Sequence, residues 1–196
     1  MKLQERLPDS IRVGRKRMRL DLDFRNVLRM METLARNDLT IEARAYLALK
    51  CVCRKVPKDA EATLTAVKEL LFPETKKTAP KEKITDFEQD ADLIRAAFLQ
   101  AYGINLWREK LHWFEFSGLL HAIPDGNRYS EVIGIRVRPM PAPTKYNAEE
   151  RQWLAKAKAE CAVRLTEAEQ EKGLKDGLRR VAESLIALAE AGGKNG

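Results

Sequence analysis

Residues 105–123 read NLWREKLHWFEFSGLLHAI, the most apolar stretch of the chain. Leu106, Trp107, Leu111, Trp113, Phe114, Phe116, Leu119 and Leu120 fall all round a helical wheel rather than on one stripe. A helix that is apolar on every side is buried on most of them. The stretch is therefore expected to form one central α-helix against which the others pack. Pro124-Asp125-Gly126-Asn127, directly after it, reads as a turn.

Upstream of this helix, Asp86 is placed to cap a helix running to Tyr102, with Gly103 as its C-cap. Phe87, Ala91, Ile94, Phe98 and Ala101 share one face of it, and the acids Asp86, Glu88, Asp90 and Asp92 crowd the start, where the helix dipole favours negative charge. Residues 73–83, PETKKTAPKEK, are polar with two prolines and form the clearest linker. Before the linker come three helical stripes. The first holds Phe24, Val27, Leu28, Met31 and Leu34 after a cap at Asp23; the second runs from a Thr40 cap to about Lys55; the third follows Asp59 with Leu64, Val67, Leu70 and Leu71 inward. Leu20, Leu22 and Phe24 alternate with charged residues, which suggests a short extended lead-in.

Downstream, residues 129–138 read either as a strand, from the alternation of Ile133, Ile135 and Val137, or as a short helix opened by Ser130. Pro139, Pro141 and Pro143 enforce an extended connection. Asn147 with Glu150 resembles a capping box, followed by Leu154, Ala157, Cys161 and Leu165 on one helix. A last helix, about 174–191, carries Leu178, Val181, Leu185 and Leu188. The fold class is all-α: a bundle of about six to eight helices with a basic N-terminal arm (1–20) and a C-terminal helical extension. The remaining divisions are an N-terminal helical lobe (21–72), the linker (73–83), a core helical segment (84–138) and a proline linker with C-terminal helices (139–196), as separate units or one domain overall.

The chain has 196 residues and a net charge of +7. Residues 1–20 hold seven bases and two acids, so +5 sits in the arm and the body is near neutral. The arm's cluster is Arg12, Arg15, Lys16, Arg17 and Arg19. Such a cluster can contact phosphates, but the arm has no aromatic residue for base stacking and no basic recognition helix follows, so nucleic acid is not the expected partner. No apolar run reaches the length of a membrane span and no secretory signal heads the chain, so a cytoplasmic protein is expected.

Little points to catalysis. His112 and His121 lie nine positions apart, on opposite sides of a continuous helix. His112, with Glu109 and Glu115 as helical neighbours, is expected to make an ordinary ion pair. The run Asp86-x-Glu88-x-Asp90-x-Asp92 mimics the start of a calcium loop, but Ala91 stands where the turn needs Gly and Ala97 where a bidentate Glu belongs. Cys51, Cys53 and Cys161 fit neither a disulfide framework nor a zinc site and read as reduced packing thiols. No phosphate loop or nucleophile elbow is present, so a non-enzyme without cofactor or metal is expected.

The order and spacing of DFEQDAD, Ile94 and Phe98, YGI-x-L, LHW-x2-F-x2-LL and Ile135-Arg136 across residues 84–138 resembles the bacteriophage gene-product-fifteen family, small proteins encoded in the tail-gene clusters of long-tailed phages and prophages. The likeness extends more loosely over about 20–170. The resemblance implies a tail-assembly chaperone that binds the tape-measure protein, and possible further contact with the major tail tube protein or a second tail-assembly chaperone. It implies action in the host cytoplasm and absence from the mature virion, and it brings no catalytic residue or cofactor. Candidate partner-binding residues are Trp107, Trp113, Phe114, Phe116 and Leu120. The alternatives are a nucleic-acid-binding phage protein that uses the basic arm, or a minor structural tail component. The oligomeric state is open.

Overall fold

Residues 20–24 run extended through the middle of the protein, and their backbone is paired on both sides. In the computed structural model, which describes residues 4–73 and 83–164, Leu20 bridges Cys53 and Asp21 N–H donates to the Val52 carbonyl. Further along, Phe24 N–H donates to Leu111 and Trp113 N–H donates to Leu22. The alternation seen in the sequence holds: Leu20, Leu22 and Phe24 are buried while Asp21 is exposed. This strap ties together stretches nearly 60 residues apart.

Seven helices are present among the described residues: α1 (Phe24–Ala35), α2 (Ile41–Val52), α3 (Ala60–Leu71), α4 (Ala91–Tyr102), α5 (Trp113–His121), α6 (Arg128–Val137) and α7 (Ala148–Cys161). The one sheet among those residues is a two-stranded hairpin, β1 (Ser10–Val13) and β2 (Lys16–Arg19). The fold is a mostly helical bundle, as the composition and periodicity indicate. Within the basic arm the chain is locally ordered as this hairpin. Ile11 pairs with Met18 and Val13 with Lys16, and Ile11, Val13 and Met18 pack on the hydrophobic core beside α3. Gly14, at φ +58°, opens the two-residue turn, a conformation that costs a side-chain-bearing residue energy.

Capping follows the sequence at several ends. The side chains of Asp23, Thr40 and Asp59 accept from Arg25, Ala43 and Ala62 N–H at the starts of α1, α2 and α3. Gly103 closes α4 in the left-handed conformation at φ +66°. α2 stops at Val52 rather than near Lys55, because the Val52 carbonyl and Cys53 are engaged by the strap. α4 starts at Ala91, not at Asp86; Asp86 instead caps a preceding turn by accepting from Glu88 and Gln89 N–H.

The expected single helix over 105–123 is broken, and only α5 is helical. Asn105 O accepts from Arg108 and Glu109 N–H, which closes one turn, and the Arg25 guanidinium then takes the Leu106 and Glu109 carbonyls. Those carbonyls are thereby withdrawn from a continuing helix. His112 restarts the chain as the N-cap of α5, in a capping box with Glu115. Its ring bonds Pro8 O rather than forming the expected ion pair.

Residues 129–137 are helical, within α6, with Asn127 as cap, Ser130 completing the box and Arg138 as the C-cap. α7 begins after Asn147, but no capping box forms; the Asn147 side chain binds Thr144 and Ala142 instead. The helix read at 174–191 and most of the linker lie outside the described residues.

The core draws on both sides of the linker. Phe24 from α1 stacks on Phe116 from α5 with centroids 4.5 Å apart, and Phe98 from α4 stacks on the same ring at 5.3 Å. Each stacked pair adds about 0.5–1.5 kcal/mol beyond area burial. Trp113 meets Phe72 and Phe87 edge-on.

Candidate partner-binding cleft

α1 and α4 both pack against α5, and a cleft of about 280 Å³ opens between them. Helical spacing builds each wall. Arg25, Leu28, Arg29 and Glu32 sit at steps of three, one and three along α1, and Ala91, Ile94 and Arg95 occupy one face of α4. Phe24, Phe87 and Phe116 supply the aromatic floor, while Leu106 and Trp107 close one end. The volume is below the roughly 300–1,000 Å³ of small-molecule pockets. It suits the insertion of an apolar side chain from a partner.

Trp107 is the outstanding surface feature of this end. It is 72% exposed although it lies in the most apolar stretch of the chain. Its backbone N–H is held by Asn105 Oδ1 at 3.0 Å, and the turn carrying it is pinned by Arg25. The Arg95 guanidinium lies 4.0 Å from the indole centroid and also pairs with Asp92. A stacked cation is worth about 0.5–1 kcal/mol at an exposed position. The ring is thus set in place on the rim with one face occupied.

The other predicted binding residues are distributed differently. Phe116, 1% exposed, is the cleft's floor, and Trp113, 6% exposed, belongs to the aromatic core behind it. Both rings face the core from α5, so neither is exposed as a surface anchor. Phe114 is partly buried and stacks on His112, and Leu120 is partly buried against the core. So the structure gathers Trp107 and Phe116 at the cleft and leaves Trp113, Phe114 and Leu120 outside its lining.

Arg25, Leu28, Arg29, Glu32 and Arg95 were missed as site residues. Their one-face spacing on α1 and α4 is visible in the sequence, but that these two faces oppose each other is not. Of the three arginines lining the cleft, Arg25 pairs with Asp23 and Arg95 with Asp92.

Behind the α4 wall lies a buried ion pair. Asp90, 1% exposed, accepts from both Arg136 terminal nitrogens, at 2.6 and 2.8 Å. Arg136 also donates to the Ile84 and Cys161 carbonyls, so one guanidinium joins the lead-in to α4, α6 and the end of α7. The hydrogen bonds that Arg136 donates to Asp90 raise its pKa above the usual value. Nearby, burial pushes the Tyr129 hydroxyl up, and it bonds Thr85.

The five arm residues Arg12, Arg15, Lys16, Arg17 and Arg19 are all exposed on the hairpin, away from the cleft lining. Among the described residues no group of three or more His, Cys, Asp or Glu is placed to hold a metal, and no helix is long and apolar enough to cross a membrane. His112 caps α5, while His121 ends it with its ring on Ser117 O. Burial raises the Cys53 thiol to about 11, which suppresses its thiolate at neutral pH.

Comparison with known proteins adds one match. The sequence model of the family described as Bacteriophage Gp15 protein fits residues 3–163. No curated protein and no solved structure matches the chain.

Proposed function

The chain belongs to the Bacteriophage Gp15 protein family, and from that premise we propose that it is a tail-assembly chaperone, a non-enzyme that holds the tape-measure protein soluble during tail morphogenesis. A tape measure is a long helical protein whose apolar stripes stay uncovered until the tail tube forms round it. Exposed stripes of that size aggregate. A stoichiometric binder protects them by taking one face of the helix into a groove.

The observation that carries the reading is the cleft between α1 and α4 with Trp107 fixed on its rim. An exposed indole beside an apolar recess is the kind of group that dominates helix-in-groove recognition. The chaperone acts in the host cytoplasm and leaves before the virion is complete. A second tail-assembly chaperone and the major tail tube protein are the further partners of this reading.

Co-expression with a tape-measure fragment tests it. The fragment becomes soluble and co-purifies with the wild-type protein, and Trp107→Ala weakens the complex. If the fragment stays equally insoluble with and without this protein, the chaperone reading is wrong. Detection of the protein in purified virions at structural stoichiometry would instead make it a minor tail component.

A further inference from the structure

The hairpin β1–β2 has two chemically different faces. Ile11, Val13 and Met18 point inward and pack on the core, which anchors the ribbon. The opposite face carries Ser10, Arg12, Arg17 and Arg19, with Arg15 at the tip. Arg12 stands directly across from Arg17 in the ladder, and Arg19 follows two residues further on the same face. Like charges facing each other across strands destabilise a hairpin. Arg17 is partly relieved by Asp9 at 3.6 Å and by Ser10, and Arg19 also feels the Asp9 charge, but Arg12 and Arg15 form no ion pair among the described residues. The body of the chain is nearly neutral, so the positive field is concentrated here.

We propose that this ribbon is a binding site for the phosphate backbone of duplex DNA, a function independent of the cleft. Three features select that ligand over an acidic protein segment. The outward face has no apolar side chain to build the desolvated core of a protein interface; polyphosphate binding needs only neutralising cations and the release of counterions. Four of the five hairpin bases are arginines, whose planar forks match phosphate oxygens in pairs. A two-stranded ribbon is also a shape the major groove admits. With no aromatic residue on the hairpin there is no stacking platform for single-stranded bases. The contact is therefore to backbone and independent of sequence.

The test is anisotropy titration of the full chain with a fluorescent DNA duplex of arbitrary sequence across a salt series. Binding is expected at about 50 mM salt, with a log–log salt slope of about −3 to −4 for four contacts. The triple variant Arg12→Gln/Arg17→Gln/Arg19→Gln should lose at least about tenfold in affinity and about three units of slope, and Arg12→Gln alone about one unit. Circular dichroism and solubilisation of the tape-measure fragment should be unchanged in both, which separates this site from the cleft. No binding at about 50 mM salt, or an unaltered slope in the variants, overturns the proposal. So does competition by polyglutamate as effective as by unlabelled duplex, which would assign the face to an acidic protein.

Discussion

The Arg136 guanidinium holds the Asp90 carboxylate with both terminal nitrogens, Nη1 2.6 Å from Oδ2 and Nη2 2.8 Å from Oδ1, with the two side chains 7% and 1% exposed. The partners are 46 residues apart in the chain. Asp90 Oδ2 also accepts from Asp86 N–H, and the Arg136 carbonyl accepts from Lys158. The pair thus connects the lead-in to α4 with α6 and α7, and it sets the α4 wall of the cleft. Both residues are among those that carry the likeness to the phage family, so the likeness includes a structural contact.

Breaking this pair should be costly, because it leaves one buried charge without its counterpart. Asp90→Ala or Arg136→Met is expected to lose about 3–5 kcal/mol. In a chain of this size that lowers Tm by about 6–20 °C. The double variant Asp90→Leu/Arg136→Met should recover more than half of the loss, since it removes both charges together. Thermal and urea unfolding of all three proteins would measure it. A double variant as unstable as the sum of the singles would mean that the carbonyl contacts of Arg136, not the ion pair, dominate.

Binding and stability should separate within the aromatic stretch. Trp107→Ala, at an exposed position, should change unfolding free energy by less than about 1 kcal/mol, mainly through loss of the Arg95 contact. It should weaken tape-measure binding by at least about tenfold if the indole is the anchor. Phe116→Ala should do the reverse in emphasis, destabilising the protein by about 3–5 kcal/mol because four rings, Phe24, Phe87, Phe98 and Trp113, lean on it. Calorimetry with a tape-measure peptide, alongside chemical denaturation, distinguishes the two.

Acid should weaken the lead-in to α4. Partial burial alone would raise the Asp86 carboxyl, but hydrogen bonds from Lys83 and from Gln89 and Glu88 N–H outweigh it and hold the group below its ordinary 3.8. A carboxyl depressed in the folded state stabilises above its unfolded pKa, and the contribution disappears as pH falls through the folded value. Asp86→Asn should therefore cost stability at pH 6 and progressively less as pH drops below about 4. Urea melts of both proteins at pH 6 and pH 3 check the convergence.

The cysteines should differ in reactivity. Cys53 is 5% exposed with its thiol raised to about 11 by burial, whereas Cys51 is only partly buried. Iodoacetamide at pH 8 should modify Cys51 well before Cys53 in the native protein, with the difference abolished in urea. The sign for stability is the mirror of the carboxyl case: the raised thiol is neutral in both states below the ordinary 9.0, and stability falls as pH climbs from there toward 11. Peptide mass mapping of partially labelled protein reads the order of modification.

Local chemistry was readable wherever it depends on neighbours in sequence. Asp23, Thr40 and Asp59 cap the helices they precede, and Gly103 ends α4, because each acts on backbone groups within five residues of it. The apolar spacing of Phe24, Val27 and Leu28, and of Ile94 and Phe98, reported the inward faces of α1 and α4 for the same reason. The 105–123 stretch misled because hydrophobicity all round a wheel does not reveal carbonyls captured from outside. Arg25, some eighty residues away, takes Leu106 and Glu109 and halts the turn, and the strap at 22–24 draws 111–113 into extended pairing. The basic arm was legible as charge. Its ladder was not, because a short strand gains its order from the core beneath Ile11 and Met18.

The sequence by itself determined the helical class, several of the helix ends, the concentration of charge before residue 20 and the family, since these rest on periodicity, capping and motif order along the chain. The tertiary structure alone decided that α1 and α4 face each other across a cleft, that Trp107 stays outside while Trp113 and Phe116 go in, and that Asp90 meets Arg136. Those outcomes depend on contacts between residues far apart in the chain, where burial and electrostatic pairing override what each segment would do alone.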